Sequence, residues 1–262
     1  MNIQDWFFPT ITNCVNFFCF LVTAFVIIKK IGRSRFLSNF LRIFNLQIKN
    51  HLDYPVFSYY YWHKQSQFEI LPSSESEIIM LGDSITDEGE WTELFRNLNI
   101  KNRGISGDTT IGILNRLHTI IASHPKQIFI MIGINDLLGN KNAQKVLDNY
   151  QIILQKLKEN TPSTQVFIQS VLPVNNQVYL YWQDNNNIIK LNSGLQELAQ
   201  KYNYQYIDLF SHFCDTENQL DVRYTKDGLH LNGQGYLVWK SVIERYVAVS
   251  ETFMHWRVVF CF

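Results

Sequence analysis

The chain is poor in cysteine, with four in 262 residues. Cys14, Cys19, Cys214 and Cys261 are scattered, and none stands in a Cys-x-x-Cys or other metal-ligand spacing, so neither a disulfide framework nor a zinc site is supported. It also lacks an excess of either charge. With 23 basic and 23 acidic side chains the formal net charge is zero, which leaves no whole-protein field to attract nucleic acid. There is no internal repeat and no long linker, no motif implies a cofactor or a metal, and nothing in the residues fixes an oligomeric state. What the chain does have is apolar mass, 46% of its residues with 15% aromatic, enough for a large core in one domain plus extras.

Four short motifs carry the chemistry. Gly82-Asp83-Ser84-Ile85-Thr86 follows the apolar run Ile78-Ile79-Met80-Leu81, and downstream come Ser106-Gly107-Asp108-Thr109, Gly133-Ile134-Asn135-Asp136 and Asp227-Gly228-Leu229-His230. A serine after a strand is ordinarily a cap or turn residue. The conjunction points elsewhere, because acyl transfer needs a nucleophile, a base, an orienting acid and oxyanion donors. A serine hydroxyl needs a base within hydrogen-bond reach, and of the seven histidines only His230 has an aspartate three residues earlier with a glycine between. Asp227 is placed to accept from Nδ1 of His230, leaving Nε2 to face Ser84. The other reading of that segment is a plain Asp-Gly turn before a helix.

These four blocks resemble the signature blocks of the GDSL, or SGNH, esterase and lipase family, over residues 77–247. The resemblance implies a Ser84, Asp227, His230 triad and an oxyanion hole made by the backbone N–H of Ser84, the backbone N–H of Gly107 and the side-chain amide of Asn135. It also makes Asp83 and Asp136 scaffolding. Asp87 and Asp108 read as caps or turn residues, and Gly104 as a glycine permitting a tight path after the second strand. The blocks around Gly107 and His230 look like those of lysophospholipase and platelet-activating-factor acetylhydrolase-like esterases, with carbohydrate deacetylases sharing much of the pattern. The expected activity is therefore a serine esterase or lipase acting on lysolipid or short acyl esters. A carbohydrate O-acetylesterase or acyltransferase using the same residues, and a non-catalytic tethered binding module, stay open. The chain lacks Gly-x-Ser-x-Gly, so the α/β-hydrolase elbow is not the relevant one.

From about residue 66 short β-branched runs alternate with helical patterns, the signature of a parallel sheet covered on both faces. Strands are predicted at 78–81, 100–103, 127–132, 165–171 and 204–209, and helices at 91–97, 111–123, 143–159, 187–202 and 235–248. Together they make a three-layer α/β/α sandwich on a five-stranded parallel sheet, the flavodoxin-like arrangement that the resemblance also implies. In such a sheet functional residues collect at the carboxyl ends of the strands. Ser84, Gly107 and Asn135 each follow a strand, and His230 is expected to open the last helix.

The N-terminus reads differently. Residues 6–28 carry no charge, and as a helix would run roughly 35 Å, enough to cross a hydrocarbon core. No Lys or Arg precedes the run and no small-x-small site follows it, which favours a retained anchor over a cleaved signal peptide or a buried core helix. Lys29, Lys30, Arg33, Arg35, Arg42 and Lys49 then occur without an acid until Asp53, interleaved with Phe36, Leu37, Phe40, Leu41, Phe44 and Ile48 at helical spacing. This is a basic amphipathic segment suited to an anionic bilayer or to packing on the catalytic domain. The expected organisation is an anchor at 1–30, a juxtamembrane segment at 31–65, a hydrolase domain at 66–250 and a hydrophobic tail at 251–262. Positive charge after the anchor favours a cytoplasmic catalytic domain, with export the alternative. Tyr179, Tyr181 and Trp182 either wall an acyl or sugar site or cover the core.

Overall fold

A computed structural model of the chain describes residues 57–139, 142–180 and 184–247. Two compact units divide it between Val56 and Phe57, and the account below concerns the second. The anchor at 1–30, most of the segment at 31–65, Tyr181, Trp182 and the tail at 251–262 lie outside the described residues. Among the described residues no helix is long and apolar enough to cross a membrane.

Five strands, β1 (Ile78–Gly82), β2 (Ile100–Gly104), β3 (Gln127–Met131), β4 (Gln165–Gln169) and β5 (Gln205–Ile207), form one sheet in the order β2-β1-β3-β4-β5. Every neighbouring pair is parallel, with Gly82 opposite both Gly104 and Met131. The inner strands β1 and β3 are buried along their whole length, which is why they read as unbroken apolar runs, while the edge strands β2 and β5 are mixed. The helices among the described residues are α1 (Tyr59–Ile70), α2 (Ser84–Asp87), α3 (Trp91–Phe95), α4 (Thr110–Ala122), α5 (Ile134–Leu138), α6 (Ala143–Asn160), α7 (Asn185–Tyr202), α8 (Phe210–Phe213) and α9 (Gly233–Ile243). α4 and α7 pack against α6, and α9 packs against α3 through Trp91 and Trp239, whose rings meet edge to face at 4.8 Å.

The long helices start where a short polar side chain satisfies free N–H groups. Thr109, Asn142, Asp184 and Asn232 accept from the first turns of α4, α6, α7 and α9. Two predicted boundaries move for that reason. α7 begins at Asn185 rather than residue 187, because Asp184 caps it. α9 spans Gly233–Ile243 rather than 235–248, because Asn232 caps it, so His230 sits in the turn before the helix and does not open it. α3 stops at Phe95, where Arg96 turns left-handed at φ 50°. The chain leaves β4 and β5 earlier than predicted, at Gln169 and Ile207. α1 was not legible. It crosses the expected boundary at 65/66, and only Tyr61, Gln65 and Phe68 of it are buried, too sparse a stripe to stand out among its polar and aromatic residues.

Candidate active site

The sheet order reverses between β1 and β3, and their carboxyl ends border the crevice where such sheets hold ligands. β1 runs into α2 through Asp83, whose carboxylate caps the helix by accepting from the N–H of Ile85 at 3.1 Å. Ser84 is therefore the first residue of a four-residue helix. A helix so short has few bonds of its own, and its end is held by side chains. The Trp91 indole donates to the Thr86 carbonyl at 2.8 Å and the Tyr236 hydroxyl to the Ile85 carbonyl at 2.9 Å.

His230 meets Ser84 here although 146 positions separate them. Its Nε2 lies 3.0 Å from Ser84 Oγ and its Nδ1 2.6 Å from Asp227 Oδ2. The aspartate is held within its own turn. Oδ1 accepts from the backbone N–H groups of Leu229 at 2.9 Å and His230 at 2.8 Å, and from the Thr225 hydroxyl at 3.2 Å. Partial burial pulls the Asp227 carboxyl up, but the bond to His230 and those backbone donors outweigh it and bring it down to about 2. The acid is thus ionised wherever the imidazole can act as a base. Glu88 Oε1 stands 4.0 Å from the same Nε2, at the exposed side of the ring.

Gly107 and Asn135 are brought to the same edge, after β2 and β3. Among the described residues, no acceptor pairs with the backbone N–H of Ser84 or of Gly107. Gly107 is needed for its backbone, at φ +77°, where an L side chain is strained; a Cβ there would meet nothing within 4 Å. Gly104 permits the tight path expected after β2, since a Cβ there would run into the Asp87 backbone. Asn135 sits in the first turn of α5, and one of its two amide hydrogens goes to the Asp108 carbonyl at 2.9 Å, leaving the other for a ligand.

Beneath these groups lies a buried polar layer. Arg116, fully buried, donates Nε to Asp108 Oδ2 at 2.8 Å and Nη2 to the Gly82 carbonyl at 3.1 Å, tying the end of β1 to the Gly107 loop. Asp108 is more than the expected cap. Burial pushes its carboxyl up to about 6 against the pull of Arg116. Asp136 accepts from the Thr110 N–H at 2.8 Å and hydroxyl at 2.7 Å, and Asn149 donates to that hydroxyl at 2.7 Å, so α4, α5 and α6 are joined beside Asn135. Asp83 is buried, and burial together with the nearby Asp108 and Asp136 carboxylates pushes it up to about 7 against the pull of the Ile85 N–H and His230. Asp87 likewise does more than cap. It accepts from Tyr60 at 2.6 Å and from the Ser106 N–H at 3.1 Å, and pairs with Lys64 at 2.8 Å.

Arg116, Thr110 and Asn149 were not singled out from the sequence. Arg116 left a signal, a lone charge at the helical spacing of Ile113, Leu117 and Ile120, and such a charge is buried only with a partner. Among the described residues there is no cluster of His, Cys, Asp or Glu suited to hold a metal. A cleft of about 410 Å³ lies apart from Ser84, lined by residues of α7, β5, α8, the end of α9 and the chain just after it, among them Ser193, Tyr206, His212 and Arg245.

The model of the GDSL-like Lipase/Acylhydrolase family matches residues 80–238. The human platelet-activating factor acetylhydrolase IB subunit alpha2 is 28% identical over 186 residues, 67% of this chain and 78% of that protein. Among solved structures, one from Streptococcus pneumonia, provisionally described as a platelet activating factor, superposes with a TM-score of 0.66 and 27% identity over 82% of this chain and 99% of that one. A GDSL-like lipase from Bacteroides thetaiotaomicron gives 0.61 and 25% over 71% of this chain and 96% of its own.

Proposed function

Since this chain belongs to the GDSL-like lipase/acylhydrolase family and is an ester-hydrolysing enzyme, we propose that Ser84 is its nucleophile, His230 its general base and Asp227 the acid that orients the base. The observation that carries the assignment is the 3.0 Å approach of His230 Nε2 to Ser84 Oγ, with Asp227 on the other ring nitrogen at 2.6 Å. Ser84 Oγ attacks the acyl carbon as its proton passes to Nε2. The imidazolium is held by the ionised Asp227, and the same proton is then given to the departing alkoxide. The acyl-enzyme is released when water, deprotonated by His230, attacks in turn. Negative charge on the former carbonyl oxygen is met by the N–H groups of Ser84 and Gly107 and by the second amide hydrogen of Asn135, none of which must reorganise as the charge develops.

The substrate we propose is a short acyl or acetyl ester of the lysolipid class. The acetylhydrolase relatives support it, as does the uncharged stretch at 6–28 with six cations behind it, which we read as a single-pass membrane anchor with the catalytic domain on the cytoplasmic side. Labelling by a fluorophosphonate probe tests the assignment. Wild type is expected to label and Ser84→Ala not to, and labelling that persists in the variant rejects Ser84. Protease added outside sealed membranes tests the orientation, since digestion of the catalytic domain would reverse it.

A further inference from the structure

We propose that the rim of the Ser84 site is a docking face for an anionic lipid bilayer, from which the enzyme takes its ester directly. The proposal deepens the function above and rests on its membrane-anchored reading. Large apolar side chains are exposed on both sides of the site. On one side is the start of α1, with Tyr59 exposed to 85%, Trp62 to 47% and Tyr60 to 44%. Tyr60 is bound at 2.6 Å to Asp87, the last residue of the helix that Ser84 opens, and the same carboxylate holds the Ser106 N–H next to Gly107. On the other side is the chain after β4, with Tyr179 exposed to 64%, Leu180 to 52% and Val178 to 40%. Val178 Cβ lies 3.2 Å from where a Cβ of Gly228 would stand, and Asn175 donates to the Gly228 carbonyl at 2.8 Å, so this chain backs the turn that carries Asp227 and His230.

Isolated exposed apolar residues are ordinary on a protein surface, but here each cluster is bonded to an element that carries one of the reactive residues, Tyr60 to the end of α2 and Asn175 to the turn of His230. Tyrosine and tryptophan are the residues that favour a membrane-water boundary, since each has an apolar body and a polar tip. The occupant follows from the chain upstream. Residues 6–28 are uncharged, the six cations at 29–49 suit anionic head groups, and Lys49, the last of them, precedes Tyr59 by ten residues, at most about 35 Å of chain. A bilayer bound by the upstream segment is thus within reach of α1.

The test uses the full chain in phosphatidylcholine vesicles containing phosphatidylserine and a short-acyl ester phospholipid, beside a monomeric ester, p-nitrophenyl acetate, in solution. Tyr59→Ser combined with Leu180→Ser removes one apolar group from each side and touches none of the reacting residues. The vesicle rate is expected to fall about tenfold while the monomeric rate stays within about twofold. An unchanged vesicle rate overturns the proposal. Equal loss on both substrates also overturns it, and assigns those side chains to the acyl site or to the fold. Failure of the parent readings is seen separately. A wild type that cleaves neither ester removes the enzymatic assignment and the rim with it, whereas a full chain released from vesicles by alkaline carbonate removes the anchor alone, and the ratio of the two rates then still decides the rim.

Discussion

The two halves of the reactive pair are held by opposite means. Ser84 stands on a buried layer in which Asp83, Asp108, Asp136 and Arg116 are each almost wholly shielded from water, and three helices and the end of β1 converge. His230 and Asp227 lie on a turn whose side chains are 32% and 48% exposed, and Asp227 is held by hydrogen bonds within six residues of chain. The contrast matches what the proposed roles ask of each side. Nucleophile and oxyanion donors have to be fixed relative to one another, which a packed core can enforce. The base needs one correct distance and access to solvent for its proton, which a locally bonded turn can supply.

The sharpest challenge to that division is to remove one residue from each half. Ser84→Ala and His230→Ala are each expected to lower kcat by at least about 10⁴, and the double variant to be no worse than either. Losses that multiply would mean the two halves do not act as one unit. On the buried side, Arg116→Met strands the Asp108 carboxylate and should cost about 3–5 kcal/mol in urea unfolding. No comparable loss is expected for Asp227→Asn, where water can reach the turn, and equal losses would erase the distinction. Asn135→Ala should lower kcat by about a hundred- to a thousandfold with KM little changed, since its free amide hydrogen serves a charge present only as the ester reacts. The smallest effect concerns acidity. Asp83, raised in the folded state to about 7, keeps its proton in the fold at pH values where the unfolded chain has lost it. Its contribution therefore falls as pH rises from about 4 to about 7, and the full cost is present above that window. Asp83→Asn should then raise stability at pH 8 by on the order of 2 kcal/mol and flatten the dependence between pH 5 and 8. Asp227, lowered to about 2, works in reverse, stabilising above about 4 and losing that contribution as pH falls through 2.

The inner strands and the meeting of Ser84 with His230 were legible for reasons that differ. β1 and β3 show as apolar runs because a central parallel strand is buried on both faces. Ser84, Gly107, Asn135 and His230 show because each must follow a strand or turn in a particular conformation, and the residue types permitting that are few. What stayed hidden was support without periodicity. α1 buries only three side chains, and Thr110 and Asn149 look like ordinary helix residues until their common partner across the fold is known. Pairing between distant polar residues leaves no local pattern, so Asp108 reads as a cap when its weightier contact is eight residues away at Arg116.

The 146-residue separation of Ser84 and His230 has a consequence for the birth of the enzyme. The buried layer beneath Ser84 is encoded by residue 160, the end of α6, yet the proposed base arrives with the turn before α9, and α9 also delivers Tyr236 and Trp239 to the segment around Ser84. A ribosome-bound chain that has emerged only through β4 lacks the proposed base of Ser84. On the proposed roles of Ser84 and His230, ester cleavage begins only once this long-range contact forms, rather than rising in step with chain growth.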